Sequence, residues 1–255
     1  MLIDTHAHLT DPRLNADGIL ADMEQDGLAR IITVGYNKES SLGGFAIAQK
    51  DKRIFCTLGF HPSNTTEVLL GDYAAFLKLS GNEKVVGIGE IGLDYHYEDT
   101  DQQTQKRELL AQLELVHAAD LPVVIHLREA DEDMFRIVKD NLDKLPRRGV
   151  MHCFSGSLES ALAYVKMGFY ISFSGSITFK NAKKFPEIIK NLPLDRILIE
   201  TDCPYLAPDP LRGQLNYPKY VKYQAAKIAE FRGITAEEVE SITYRNAFNL
   251  FTKLV

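Results

Sequence analysis

Eight short apolar runs, each of strand length, alternate with longer amphipathic stretches from one end of this 255-residue chain to the other. That alternation restricts the fold more than any other feature of the sequence. The runs fall at 2–8, 31–36, 55–61, 85–92, 122–128, 149–154, 170–174 and 197–202. Helical patterns lie between them at 15–27, 38–50, 102–119, 131–142, 158–167 and 181–191, and two more follow the last run at 217–231 and 236–251. The final one opens on Thr235-Ala-Glu-Glu238, a capping box in front of an apolar stripe. No linker rich in Pro, Gly or Ser interrupts the series. Strand and helix in regular alternation build a parallel sheet covered by helices. Eight such units in about 250 residues imply an α/β chain forming a single (β/α)8 TIM barrel over residues 1–255. A doubly wound sheet would need fewer strands and a point where the strand order reverses.

The composition agrees with a full-sized core: 45% of the residues are hydrophobic and 25% charged, which excludes disordered, collagen-like and disulfide-stapled classes. With 29 Lys and Arg against 35 Asp and Glu, the net charge is -6. This argues against a protein that coats nucleic acid with a basic surface, but not against an enzyme that meets phosphates through bound cations. The opening Met-Leu-Ile-Asp-Thr-His-Ala-His lacks the basic and apolar parts of a secretory signal, and no apolar run reaches membrane-spanning length. Cys56, Cys153 and Cys203 lie in apolar strand-like runs without paired spacing and read as reduced core residues. The expectation is a cytoplasmic protein with no membrane association and no obligate protein partner.

Polar residues interrupt the strands at one end only. His6 and His8 stand at the end of the first run, Glu90 in the fourth, His126 in the fifth, His152 in the sixth and Asp202 in the eighth. Barrel active sites form at the C-terminal ends of the strands, where the loops converge. Strand side chains alternate faces, so His6 and His8 point the same way, with Asp4 one layer beneath. By the same parity Glu200 lies beneath Asp202, and Arg128 lies one step above His126. Taken singly, each histidine would read as an ordinary core or loop residue. Six ionisable groups at one end of a barrel would each cost several kcal/mol if nothing paired with them. Imidazoles and carboxylates are ligands for divalent cations, and four imidazoles with two carboxylates exceed what one tetrahedral ion needs. Two divalent metal ions are therefore expected, one held by His6, His8, Glu90 and Asp202, the other by Glu90, His126 and His152, with Glu90 as the bridge. Asp4 and Glu200 are placed to orient these ligands.

Gly87-Ile88-Gly89-Glu90-Ile91-Gly92 matches a dinucleotide-binding fingerprint, but no helix follows at once and Glu90 would face the pyrophosphate. No phosphate-binding P-loop or nucleophile elbow is present.

Three stretches, Gly89-Glu90-Ile91-Gly92-Leu93-Asp94-Tyr95, His152-Cys153-Phe154-Ser155-Gly156 and Glu200-Thr201-Asp202-Cys203-Pro204-Tyr205, resemble signatures of the TatD family of metal-dependent deoxyribonucleases. His6-Ala7-His8 is similar to the first-strand pattern of amidohydrolase-type barrels, and Gly59-Phe60-His61-Pro62, His126-Leu127-Arg128 and the stretch from Arg212 to Pro218 also resemble the family pattern. The resemblance implies a nuclease that depends on divalent metal and trims single-stranded DNA from the 3′ end. In phosphodiester hydrolysis Asp202 is expected to orient and deprotonate the attacking water, and His61 and Arg128 to offset charge on the phosphate. Tyr95, His96, Tyr205, Arg212 and Asn216 are the expected substrate contacts, with Tyr97 and Phe179 as further stacking surfaces. Imidazole-rich coordination favours Zn or Mn, whereas the resemblance points to Mg. The rival readings are a hydrolase of small amides, lactones or phosphoesters on the same scaffold, and a metal-binding interaction module without catalysis.

Overall fold

The computed structural model describes residues 1–97 and 101–254. Within them each apolar run contributes a strand: β1 (Leu2–Ala7), β2 (Leu28–Val34), β3 (Ile54–Leu58), β4 (Val85–Asp94), β5 (Val123–Arg128), β6 (Gly149–Met151), β7 (Tyr170–Phe173) and β8 (Ile197–Ile199). The strands pair in parallel in sequence order, from β1 to β8. The seam between the last and the first is joined just beyond β8, where Ala7 bridges Cys203. There His8 N donates to Cys203 O at 2.8 Å and Asp202 N donates to His6 O at 2.9 Å. This is the (β/α)8 barrel that the alternation predicts.

The helices that return the chain between strands are α1 (Ala16–Asp22), α2 (Lys38–Lys50), α3 (Asp72–Ser80), α4 (Gln102–Ala119), α5 (Asp131–Asp140), α6 (Leu158–Lys166) and α7 (Phe185–Asn191). Two more, α8 (Val221–Arg232) and α9 (Ala236–Leu250), follow β8. Thr235 and Glu238 close the capping box read from the sequence: Glu238 N donates to Thr235 Oγ1 at 3.2 Å and Thr235 N to Glu238 Oε2 at 2.8 Å. Helix α3 is an element the sequence reading missed. Its N-cap is Gly71, in the left-handed region and without a capping side chain, so the usual start signal is absent.

Several strands end sooner than the apolar runs do. β6 stops before His152 and β8 before Asp202, because Cys153 (φ 44) and Asp202 (φ 58) adopt left-handed backbone that an extended ladder cannot continue. Most of the functional side chains therefore sit near the strand ends or just beyond them, and Glu90 sits within β4.

The core has two parts. A large cluster packs the helices onto the outside of the sheet. A smaller one gathers Ile3, Phe55, Val86, Val124, Val150 and Leu198, each the second residue of its strand, against Leu250 at the end of α9 and Phe251 and Leu254 just beyond it. An apolar floor thus seals one end, and the polar residues occupy the other. Close approach of β4 and β5 depends on Gly92 (φ 157), where a Cβ would lie 1.9 Å from His126 O. No helix among the described residues is long and apolar enough to cross a membrane.

Candidate metal centre

β1, β4, β5 and the residues just beyond β1, β6 and β8 bring six donor side chains to one point at the C-terminal end of the barrel. Glu90 stands at their centre and divides its two oxygens. Oε2 faces His6 Nε2 at 3.4 Å and His8 Nε2 at 3.8 Å. Oε1 faces His152 Nε2 at 2.7 Å, His126 Nδ1 at 2.8 Å and His61 Nε2 at 3.7 Å. Asp202 Oδ1 completes the first group, 3.3 Å from His8 Nε2 and 3.7 Å from His6 Nε2. Donors held about 2.1 Å from a cation stand about 3–3.5 Å from one another, which the 3.4 and 3.3 Å separations match, whereas the 2.7 and 2.8 Å contacts of Oε1 have hydrogen-bond lengths. Three overlapping sets have the required convergence: His6, His152 and Asp202; His6, His8 and Glu90; His61, Glu90 and His126. His6 is the sharpest test of the fit. It is fully buried, and neither ring nitrogen has a hydrogen-bond partner. A cation at Nε2 would supply a partner for that nitrogen.

The rings are aimed by what lies behind them. His8 Nδ1 donates to Val34 O at 3.2 Å, which leaves Nε2 for the centre. His152 Nδ1 lies 3.5 Å from Glu200 Oε1, and Glu200 is itself held by Cys153 N and Ser172 Oγ, both donating at 2.6 Å. Glu200 thus stands behind the His152 ring without forming a hydrogen bond to it. Asp4 stands behind no ring: it accepts from the backbone N of His6 and Thr201 and from the Thr201 hydroxyl, so it ties the seam rather than an imidazole. The register shift of β1 between Asp4 and Ala7 explains why simple alternation misplaced it.

Burial pushes the Glu90 carboxyl up, but His152, His61 and His126 outweigh burial and hold it well below the carboxylate range. Burial likewise lowers His8, His126 and His152, and the carboxylates Asp202, Asp94, Glu90 and Glu200 reverse this, leaving all three above the usual imidazole value. Asp4 is pushed up to about 8, because its complete burial outweighs the hydrogen bonds it accepts from Thr201 and His6. His61 is lowered to about 3, first by burial and then by His126. The ring is therefore neutral near pH 7, and any charge on a phosphate would be met by its N–H rather than by a positive charge. Its Nδ1 accepts from Ser63 N at 3.2 Å, so a neutral ring carries its proton on Nε2 and acts as a hydrogen-bond donor.

Above the six donors opens a cleft of about 700 Å³, lined among others by Tyr36, Tyr97, Arg128, Phe179, Lys184 and Tyr205. Three aromatic rings of this rim carry arginines: Arg128 lies 4.9 Å over Tyr97, Arg212 4.4 Å over Phe179, and Arg13 4.7 Å over Tyr205. Three expected substrate contacts are placed differently. Tyr95 is turned out of the cleft, its hydroxyl donating to Asp133 at 2.8 Å, because it follows inward-facing Asp94 and strand side chains alternate. Asn216 is fully buried and spends its amide on Thr201 O and Tyr205 O, at 2.9 and 2.6 Å, bracing the loop after β8. His96 is half exposed beside the rim, 2.6 Å from Glu129. Cys153, expected in the core, is part-buried and lines the cleft.

The residue missed from the sequence is Asp94, also in the cleft lining, whose Oδ2 lies 2.9 Å from His126 Nε2. Its signal was the strand period: Asp94 stands four residues after Glu90 on the same face.

Comparison with known proteins agrees with this geometry. The family described as TatD related DNase matches residues 3–252. The chain is 42% identical over 253 residues to an uncharacterized metal-dependent hydrolase, YabD, of Bacillus subtilis (strain 168), covering 98% of this chain and 99% of that one. It is 33% identical over 259 residues to another, YcfH, of Escherichia coli (strain K12), covering 98% and 95%. Among solved structures, YJJV, a TatD homologue from Escherichia coli K12, superposes with a TM-score of 0.92 at 32% identity, covering 98% of each chain. A TatD-family hydrolase from Entamoeba histolytica gives 0.89 at 25% identity, covering 99% of this chain and 98% of that one. This chain belongs to the TatD family of metal-dependent hydrolases.

Proposed function

We propose that the protein is a deoxyribonuclease that uses two divalent cations, bridged by Glu90, to hydrolyse single-stranded DNA from the 3′ end. The observation that carries the reading is the division of Glu90, one oxygen towards His6 and His8 and the other towards His126 and His152. A carboxylate so placed offsets the mutual repulsion of two positive ions. Bound there, divalent cations supply the Lewis acidity that activates water and offsets phosphate charge. Asp202, at the cleft edge of the first group, takes the proton from the attacking water. Arg128 and the Nε2–H of His61 hold the phosphate oxygens, and Lys184 lies further along the same wall.

The rim favours a polynucleotide over a small molecule. Tyr205 is 50% exposed, and its ring lies 6.1 Å from that of His8, so a base stacked on it places its phosphate near the donors. Arg13 backs this tyrosine and is itself fixed by Asp11, through bonds of 2.8 and 2.7 Å. Its fork is thus engaged, and it stiffens the platform rather than binding phosphate. The net charge of -6 predicts a shallow salt dependence of binding.

The deciding experiment is digestion of end-labelled single-stranded DNA with Mg, Mn or Zn, with and without EDTA, beside a panel of amides, lactones and phosphoesters. Stepwise loss from the 3′ end that EDTA stops is the expected result. Turnover of a small amide or lactone with no cleavage of DNA would transfer the site to the rival substrate class.

A further inference from the structure

His126 is held at both of its ring nitrogens, and only one of the two contacts belongs to the donor cluster. Nδ1 lies 2.8 Å from Glu90 Oε1 and 3.2 Å from His152 Nε2. Nε2, on the far side of the ring, lies 2.9 Å from Asp94 Oδ2. A half-turn of the ring about Cβ–Cγ would put carbon atoms against both carboxylates, so the two contacts together fix one orientation. Asp94 is equally constrained. It is buried, its Oδ1 accepts from His96 N at 2.9 Å, and its backbone N and O are bonded to Gln105 at 2.8 and 2.7 Å. Residue 94 also pairs with Arg128 in the β4–β5 register, two residues beyond the pairing of Gly92 with His126. The carboxylate is thus set by the same two strands that carry Glu90 and His126.

We infer that Asp94 is a positioning residue that holds a proton on His126 Nε2 and so presents Nδ1 as the donor of the Glu90–His126–His152 group. His8 and His152 approach the centre through Nε2, and His126 alone of these three approaches through Nδ1. The difference has a geometric cause. His126 lies within β5 and its Nδ1, close to the backbone, already reaches Glu90; the outer end of the ring therefore projects past the donors and meets Asp94 at the end of β4. A carboxylate behind an imidazole fixes its tautomer and raises its basicity as a ligand, and losing such a partner costs about 10–100-fold in metal affinity or activity.

The inference rests on the reading that the His126 group holds a cation, and the test separates the two. In protein labelled with 15N at histidine and loaded with zinc, His126 is expected to show its proton on Nε2 and a metal-shifted Nδ1. A proton on Nδ1, with the metal at Nε2, overturns the inference. Cobalt titration of Asp94→Ala should weaken one of two equivalents by about 10–100-fold and leave the other within about twofold. Asp94→Asn keeps an acceptor of the same shape and should fall between Asp94→Ala and the wild type; it serves if the alanine variant does not fold. Equal weakening of both equivalents, or of neither, overturns the role given to Asp94. Wild-type protein that takes up no cobalt overturns the cation reading, and the inference with it. Failure to cleave DNA while binding two equivalents strikes only the nuclease reading, and the His126 spectrum still decides for Asp94.

Discussion

The two groups of donors around Glu90 are built differently, although both serve one carboxylate. In the first, the negative charge stands among the donors themselves: Asp202 Oδ1 lies 3.3 Å from His8 Nε2, the support behind His8 is the neutral Val34 carbonyl, and His6 has no support at all. In the second, the negative charge is displaced by one ring: Asp94 stands behind His126 at 2.9 Å and Glu200 near His152 at 3.5 Å. A cation held by the first group would meet a carboxylate that can also face solvent and substrate, whereas one held by the second would be served by imidazoles with carboxylates behind them. The division suits a chemical half that must exchange protons and a half that anchors. Removing the shared residue should damage both. Glu90→Gln is expected to cost at least about 4 kcal/mol of transition-state stabilisation, a thousandfold in kcat, and to weaken both metal equivalents. A folded Glu90→Gln protein with normal turnover would end the bridging proposal.

Asp202→Asn should break the symmetry. Loss of the proton acceptor is expected to lower kcat by about 10²–10⁴-fold, while the equivalent bound by His126 and His152 keeps its affinity. Isothermal titration beside single-turnover kinetics reads both. Unchanged kcat with both equivalents weakened would place Asp202 in anchoring rather than proton transfer.

The two groups also predict a pH dependence whose sign is fixed. His8, His126 and His152 are raised above the ordinary imidazole value by neighbouring carboxylates. In metal-free protein these protonated rings stabilise the fold fully below pH 6.5, the unfolded value, and that contribution is lost as pH rises through the folded values. A cation needs the same rings deprotonated and gains from each step in pH. The rise in Tm on adding saturating metal should therefore be small at pH 6 and grow to about 5–10 °C by pH 8.5. His6 is shifted the opposite way, lowered by burial and by His152, so it contributes less to this slope than the other three rings. A metal-induced rise that shrinks with pH would contradict the arrangement.

What the sequence disclosed and what it hid follow from one physical rule. Period-two alternation in an unbroken strand is reliable, which is why it places His126 and Arg128, both within β5; Glu200 and Asp202 follow the end of β8, where left-handed backbone at Asp202 takes them outside that rule. The rule misplaced Asp4 because the ladder shifts register in β1. It was available but unused for Asp94, whose place after Gly92 and Leu93 resembles a strand terminus, and for Tyr95, which one further step of alternation turns outward. Asn216 was beyond reach in kind. A polar residue in a loop reads as a surface contact, and only the fold shows that two backbone carbonyls consume its amide. Helix α3 was hidden by the chemistry of its cap rather than by its apolar face.

The smallest expected effect separates the rim from its look-alike. Tyr205 and Tyr95 both leave strand ends, but Tyr205 is half exposed over the cleft and Tyr95 gives its hydroxyl to Asp133. Stacking of one base on an aromatic ring contributes about 1–3 kcal/mol, so Tyr205→Ala should raise the Kd for a single-stranded oligonucleotide about tenfold and leave kcat nearly unchanged. Tyr205→Phe keeps the ring face and should bind as the wild type does. Tyr95→Phe removes a hydroxyl that never faces the substrate, so it should leave Kd unaltered even if the fold softens slightly. Fluorescence anisotropy with all three variants tests the assignment in one series. Equal losses in Tyr205→Ala and Tyr95→Phe would mean that the loops after β4 and β8 act through general stiffness of the rim rather than through a base seated on Tyr205.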